Sequence, residues 1–460
     1  MGRIASVLAA GARVALAGIF HIVIRAFYSV EIRGLEYDER APHTYYAISH
    51  KRDVDPIILL PPLLRHRGWR ALTGGVRFAL RADAFTPGFL ARLLGPGPLA
   101  WALRPLALGG VIRGLGALPI ESLQRPVEEW LRDTLRLDGD GPAGTVLSPR
   151  ALERLAAASG ERASVIAARP ISTLFAWRYL AELRILRGPD LLAGRRRRNA
   201  QRRLVMVVRA QLSALVAALR SSGSLLGAPE GDLSPDGHVL PITGGLHRIL
   251  RDAPADTRIL PLVIVYDFMR TGRPHVFVDL APSLPHVAAR LERLHYYADL
   301  RRAWLQAMRF TCTQLASGYL VWAAETNRDE FTLAEMAIAV HRLAMALAIS
   351  GRHVDAALLN PRSTRRTVAR YLAYAQRSDL ALRTKSGRWR PIPRDLTVHT
   401  NPGGNSYASQ PLAYAWNELL DLLGTERQAT SSDGAAPHAA LDDWIQWIEL
   451  HRAPPIPHAR

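Results

Sequence analysis

The chain has little of two residue types, with one cysteine and two lysines among its 460 residues. The single cysteine, Cys312, excludes an intramolecular disulfide and any metal site built from several cysteines. We expect a reducing compartment and a core position for Cys312. Because Lys51 and Lys385 are the only lysines, almost all of the positive charge is arginine.

The N-terminal stretch of the chain contains no uninterrupted apolar run long enough to span a bilayer. The N-terminal stretch from Ile4 to Ile24 is apolar and lacks a signal-peptide cleavage pattern, and its longest uninterrupted part runs from Val14 to Phe20. That is far short of the roughly 20 residues that cross a membrane. We therefore expect residues 1–31 to contain a helix lying in the membrane interface. A first helix packed on the protein core would give the same pattern.

The charge balance is strongly positive, with a formal net charge of +19 and an isoelectric point near 10.9. A cationic surface concentrates anionic partners such as nucleic acid, lipid headgroups or coenzyme phosphates, and the sign alone does not choose among them. Guanidinium binds phosphate bidentately, yet genomic base composition also explains an excess of arginine over lysine. The apolar fraction of 48% and charged fraction of 22% exclude wholesale disorder.

Short apolar runs alternate with helical stretches from Tyr45 to Leu280, which predicts an α/β fold with a mixed sheet flanked by helices. The predicted strands are 44–49, 117–120, 224–227, 259–265 and 275–280. The core is expected to occupy residues 32–285 and to carry a basic helical insert at about 138–203. Residues 286–423 are predicted to form a helical C-terminal domain, and residues 424–460 a linker with a short terminal helix.

His50 and Asp55 form the first candidate catalytic pair, separated by four residues at a strand-to-helix junction. Side chains five positions apart diverge in a continuous helix, so the pair requires a turn, which Asp55-Pro56 predicts as a helix start. A carboxylate there can accept a hydrogen bond from one ring nitrogen of His50, and the other nitrogen can take a proton from a substrate hydroxyl. A helix cap beside a loop histidine is the alternative interpretation.

A second candidate element is the turn Pro229-Glu230-Gly231, which follows the predicted strand 224–227. A glycine-flexed turn presents a carboxylate to hydroxyl groups and leaves backbone N–H groups open to an anion. An ordinary surface turn has the same composition.

Taken in order, these elements resemble the motifs of the phospholipid and glycerol acyltransferase family. The His50/Asp55 pair, the Pro229-Glu230-Gly231 turn and the proline-containing strand 259–265 resemble its first, third and fourth motifs, and the segment 116–120 resembles its second. The likeness covers about residues 32–285. It implies a glycerolipid acyltransferase core in which His50, oriented by Asp55, acts as general base on an acceptor hydroxyl.

The resemblance also implies the substrates. The donor would be acyl coenzyme A or an acyl carrier protein, and the acceptor glycerol 3-phosphate or a lysophospholipid, with no metal or other cofactor. The 229–231 turn would shape the acceptor or thioester site. Asp232-Leu233 stands where the family usually has Thr-Arg, and the arginine expected after the second motif is missing. The candidate replacements, each open to interpretation as a surface arginine, are Arg77, Arg113 and Arg125.

The expected location is the cytoplasmic face of a membrane, in a peripheral or monotopic arrangement. The run Arg195 to Arg198 would bind anionic lipid with about 1 kcal/mol per residue, unless it is only a solvated face. Two alternatives stay open. One is a nucleic-acid-binding protein, supported by the charge and by a winged-helix-like pattern of two helices and a hairpin at 367–389. The small number of aromatic residues in that segment argues against it. The other is a catalytically inactive family member at the membrane.

Overall fold

The strands of a seven-stranded sheet are β1 (Ser29–Arg33), β2 (Thr44–Ser49), β3 (Val76–Arg81), β4 (Ala117–Ile120), β5 (Ser224–Gly227), β6 (Arg258–Asp267) and β7 (His275–Leu280). Apolar runs form the strands β2, β5, β6 and β7, because segments that are apolar on both faces are stable when covered on both sides. The order of the strands across the sheet is β1-β7-β6-β2-β5-β3-β4. The hairpin β6–β7 is antiparallel, whereas β1–β7, β2–β6, β2–β5 and β3–β5 are parallel. The predicted α/β class with a mixed sheet flanked by helices is confirmed.

The computed structural model describes residues 18, 21–22, 24–38, 41–52, 55–67, 76–85, 109–114, 116–120, 126–186, 188–231, 233–234, 236–284, 293–326, 330–392 and 410–423. The predicted interfacial helix at residues 1–31 lies largely outside these residues. So do Arg125 and the predicted linker and terminal helix at 424–460.

The helices of the N-terminal half are α1 (Asp55–Arg67), α2 (Gly109–Gly114), α3 (Val127–Asp138), α4 (Pro149–Ser159), α5 (Ala163–Ala168), α6 (Trp177–Ile185) and α7 (Gly194–Ser222). Those of the C-terminal half are α8 (Gly244–Asp252), α9 (Arg293–Ala307), α10 (Cys312–Glu325), α11 (Leu333–Ile349), α12 (Pro361–Arg377) and α13 (Pro411–Leu423). A small hairpin follows α12, formed by β8 (Ala381–Arg383) and β9 (Trp389–Pro391).

The chain divides into two compact units. The first comprises residues 1–78, 218–399 and 406–460, and the second residues 79–217 and 400–405. The helices from α9 to α13 therefore belong to the same unit as strands β1, β2 and β5 to β7. The reason is visible in α10, which is buried on nearly all its faces, including Cys312 at its start. A helix that is apolar all round has to be covered by other elements.

The second unit has a hydrophobic core of its own, built from amphipathic helices α3 to α6 and the start of α7. Its fully buried residues include Leu131, Leu155, Tyr179 and Leu183. The core extends from Val127 to Ala200, so the helical part of the chain starts earlier than the insert predicted at 138–203.

The helix α7 carries the polybasic run in its first turns and an apolar stretch after it. Among the described residues its segment Gly194–Ser221 is long and apolar enough to cross a membrane, although only 22% of the apolar window is buried. Val205 and Met206 are 49% and 71% exposed. Length and composition therefore give weak support to membrane association.

Candidate active site

The candidate site lies at the carboxyl end of the central strand β2. Tyr45, Tyr46 and Ile48 are buried in this strand, and His50 follows its last residue. The neighbouring strands β5 and β6 run parallel to β2, so their carboxyl ends meet at the same edge of the sheet. Loops at this edge are where open α/β sheets place their ligands. The predicted turn at 229–231, which follows β5, is thereby brought to His50.

His50 and Asp55 are in contact, as the predicted turn between them requires. The Nδ1 atom of His50 lies 3.0 Å from Oδ2 of Asp55. The same oxygen accepts hydrogen bonds from the backbone N–H groups of Lys51, at 2.7 Å, and Arg52, at 2.9 Å. Because Oδ2 is an acceptor, Nδ1 carries the proton and Nε2 is the basic ring nitrogen. The His50 side chain is 15% exposed and that of Asp55 is fully buried.

Tyr266 in β6 is a site residue that sequence reasoning missed. Its hydroxyl donates a hydrogen bond to Oδ1 of Asp55, from 211 positions away along the chain. Burial, together with the Asp55 charge, raises the pKa of Tyr266 well above its ordinary value, so the hydroxyl keeps its proton. The Arg52 guanidinium lies 4.0 Å from the centre of the Tyr266 ring, which adds a cation–π contact. Both oxygens of the Asp55 carboxylate therefore have hydrogen-bond partners.

Glu230 holds the backbone of the catalytic candidate. Its Oε2 accepts a hydrogen bond of 2.6 Å from the His50 N–H, and its Oε1 accepts one of 2.9 Å from Leu240 N–H. Burial raises the pKa of Glu230 to about 7, although the Lys51 charge and the two N–H donors act in the opposite direction. The prediction placed Glu230 in the acceptor or thioester site. In the structure its carboxylate binds the backbone N–H groups of His50 and Leu240, and its contact with a substrate stays a prediction.

The turn that carries Glu230 is fixed by its neighbours on both sides. Gly231 has a φ of 77°, a left-handed conformation that favours glycine. The carbonyl oxygen of Pro229 accepts hydrogen bonds from the backbone N–H of Thr243, at 2.8 Å, and from its hydroxyl, at 2.9 Å. Pro229 and Gly231 therefore shape this turn through the backbone.

Lys51 connects the site to helix α13. Its Nζ donates to the carbonyl oxygen of Gly237 at 3.0 Å and lies 3.5 Å from Oε1 of Glu418. The other oxygen of Glu418 accepts a 2.8 Å hydrogen bond from the Gln314 side chain. Burial alone would lower the pKa of Lys51, but the carboxylates around it, Glu418 first among them, raise it, so the ammonium stays charged.

The helix α13 also fixes the loop between Gly237 and Leu240. Asp421 accepts a 2.5 Å hydrogen bond from Val239 N–H and lies 3.1 Å from Nδ1 of His238. Burial acts to raise the pKa of Asp421, but the hydrogen bonds from His238 and Val239 lower it overall. The carboxylate is thus a stable acceptor for the loop that supplies Leu240 N–H to Glu230. No pattern in the sequence linked α13 to this site.

The predicted phosphate-binding arginines have separate places in the fold. Arg77 is half-buried in β3, in register with Leu225 of β5. Arg113 is exposed in α2, with its guanidinium 5.1 Å from the centre of the Phe85 ring in the second unit. Arg125 lies outside the described residues.

The comparisons with known proteins leave the family open. No protein-family model and no curated protein sequence matches this chain. Within the described parts of the chain, no group of three histidine, cysteine, aspartate or glutamate side chains could hold a metal ion.

Proposed function

We propose that this protein is an O-acyltransferase that moves a fatty acyl group from a thioester donor to a hydroxyl of a glycerol-phosphate-type acceptor. The observation that carries the proposal is the 3.0 Å contact between Nδ1 of His50 and Oδ2 of Asp55 at the carboxyl edge of the sheet. The motif order of the sequence supports a glycerolipid acyltransferase core around it. The donor would be acyl coenzyme A or an acyl carrier protein.

The proposed reaction needs one base and no covalent enzyme intermediate. Nε2 of His50 takes the proton of the acceptor hydroxyl while its oxygen attacks the carbonyl carbon of the thioester. The tetrahedral intermediate then breaks its C–S bond, and the departing thiolate takes the proton back from the imidazolium. The products are an ester and a free thiol. A positioned general base of this kind contributes about 10²- to 10⁴-fold to the rate.

Asp55 stabilises the imidazolium that forms on His50 during the reaction. The hydrogen bonds from Lys51, Arg52 and Tyr266 hold its carboxylate in one orientation. Glu230 in turn holds the His50 backbone, so both members of the pair are fixed before substrate arrives. Such preorganisation is where much catalytic power resides. Arg77, Arg113 and Arg125 remain the proposed partners of the acceptor phosphate.

The proposed location is the cytoplasmic face of a membrane, with the protein peripheral or monotopic. The exposed apolar residues of α7 beside its arginine-rich start support this location. An apolar face flanked by arginine is suited to lie among anionic headgroups.

The test compares His50→Ala with a matched variant of a second histidine–aspartate pair. His43 Nδ1 lies 2.9 Å from Oδ1 of Asp256, before the start of β2 and away from its carboxyl end. Acyl coenzyme A and either glycerol 3-phosphate or lysophosphatidate are supplied, and free thiol and acylated product are followed, the latter by mass spectrometry. We expect His50→Ala to lose turnover and His43→Ala to keep it.

Equal turnover in His50→Ala and the wild type would exclude this mechanism. A wild-type protein that releases no thiol with a panel of acceptors, yet binds anionic vesicles, would instead favour the catalytically inactive membrane protein.

A further inference from the structure

The C-terminal part of the first unit has the connectivity of a winged helix. Helices α10, α11 and α12 follow one another and are completed by the β8–β9 hairpin. Phe331, between α10 and α11, exchanges two backbone hydrogen bonds with Trp389 of β9, at 2.8 and 2.7 Å. It therefore adds a third, one-residue strand to the hairpin. The sequence pattern predicted two helices within 367–389, but a single helix, α12, precedes the hairpin.

The helix α12 is the one that such an arrangement presents to a nucleic-acid groove. Its inner face is buried through Thr364, Val368, Tyr371 and Leu372. Its start is fixed by Asn360, whose side chain accepts hydrogen bonds from the first backbone N–H groups of the helix. The opposite face is therefore held rigidly toward solvent.

That outer face is uniformly basic. It carries five exposed arginines and no acidic residue: Arg362, Arg365, Arg366, Arg370 and Arg377. The other four arginines lie three, four, eight and fifteen positions after Arg362, which places all five on one side of the helix. None of the five makes an ion pair with another residue in the described parts of the chain. Their charge is thus not neutralised within the described protein.

Two arginines of the hairpin, unlike those of α12, are paired with an acidic residue. Arg388 and Arg390 both face Glu330, at 3.6 and 3.5 Å, so much of their charge is balanced internally. Arg383 and Lys385 near the hairpin tip are exposed. Positive charge therefore remains in two places, along α12 and at the tip of the wing.

We propose that α12 and the tip of this wing form a docking surface for double-stranded nucleic acid. An α-helix with its side chains is about 10–12 Å across and fits the roughly 12 Å wide major groove. Arg362, Arg365 and Arg366 in the first turns would reach base edges and phosphates, and Arg383 and Lys385 would contact the flanking backbone. This surface is separate from the His50 site and does not depend on acyl transfer.

A duplex fits the outer face of α12 better than a lipid surface does. A helix that lies in a membrane interface needs an apolar face to bury among acyl chains. After Pro361 at the start of α12, its exposed positions are arginine and glutamine, with the half-buried alanines Ala369 and Ala373 between them. Arginine that is free to form bidentate contacts suits phosphates and guanine edges.

The experiment measures binding of the full-length protein to a fluorescently labelled duplex of about two helical turns, by anisotropy, over a range of salt concentrations. The variant R365A/R366A removes two charges from α12. The matched control R195A/R197A removes two exposed arginines from α7. We expect about tenfold or greater loss of affinity only for R365A/R366A, because its arginines contact the duplex. Its slope of log affinity against log salt should also fall by about 1.8.

Two results would overturn the proposal. Equal losses in the two variants would show that the duplex binds the overall charge of the protein. A loss of binding to phosphatidylglycerol vesicles in R365A/R366A, with duplex binding unchanged, would assign the surface to lipid. Far-UV circular dichroism of both variants establishes that each is folded. Since no acyl substrate is present, neither result bears on the proposed acyltransferase activity.

Discussion

The charged residues around His50 and the arginines on the outer face of α12 occupy opposite environments. Asp55, Glu230, Lys51 and Glu418 are all buried, and each has at least one partner at a defined distance. The arginines of α12 are exposed and make no ion pair with the described residues. A buried charge is strongly destabilising without its partners, whereas an exposed one is solvated. Buried charges therefore fix internal geometry, and exposed ones are available to external partners.

Among changes to the buried charges, Asp55→Asn is expected to have the largest effect, which is a loss of turnover. The amide can keep most of the hydrogen bonds around His50, but it removes the negative charge that faces the imidazolium. Opposite charges about 4 Å apart attract by about 4 kcal/mol at an effective dielectric constant of 20, which corresponds to about 10³-fold in turnover. Steady-state turnover with acyl coenzyme A measures it, and circular dichroism controls for folding. Turnover within a factor of two of wild type would remove Asp55 from the mechanism.

Lys51→Met should lower the free energy of unfolding by about 3 kcal/mol, because it leaves the buried Glu418 without its cation. The other lysine of the chain provides the control, since Lys385 is exposed and Lys385→Met should change stability by less than about 0.5 kcal/mol. Urea unfolding measures both variants.

The double variant Lys51→Met/Glu418→Gln sharpens the same test. With no buried charge left unpaired, it should be more stable than Lys51→Met alone. A double variant that is less stable than both single variants would show that the pair acts mainly through packing.

The raised pKa of Glu230 predicts how the stability of the protein changes with pH. Its folded pKa of about 7 lies above the ordinary value of 4.5, so between these values the folded protein holds the proton that the unfolded chain has released. Its contribution to stability is complete below pH 4.5 and declines toward pH 7, by up to about 1.4 kcal/mol per pH unit. The stability advantage of wild type over Glu230→Gln should therefore be larger at pH 5 than at pH 7.5. An advantage that grows with pH would contradict this assignment.

The smallest effect is expected on the surface of α7. Met206→Asp places a charge on a residue that is 71% exposed, and it should weaken flotation with anionic vesicles about tenfold while leaving stability unchanged. The control is Val165→Asp, at a 45% exposed position on α5. Equal vesicle binding in both variants would mean that α7 does not contact the membrane.

The local parts of the site were predictable from the sequence, and the distant ones were not. Patterns of neighbouring residues predicted three features that the structure contains: the strand Thr44–Ser49, the helix start at Asp55 and the glycine turn after β5. Tyr266 was missed because only the pairing of β2 with β6 brings it to Asp55. The contacts of helix α13 were missed because nothing in the sequence distinguishes its buried Glu418 and Asp421 from exposed polar positions of a helix.

The sequence by itself determined the α/β class, five of the seven strands of the large sheet, and the turn that lets His50 and Asp55 meet, because hydrophobic periodicity, capping and turn chemistry act over a few residues. It did not predict β1 or β3. Only the tertiary structure decided that Glu230 supports the His50 backbone, that Lys51 pairs with Glu418, and that the hairpin gains a third strand at Phe331. These contacts join residues far apart in the chain. They depend on which elements pack together, which no local pattern specifies.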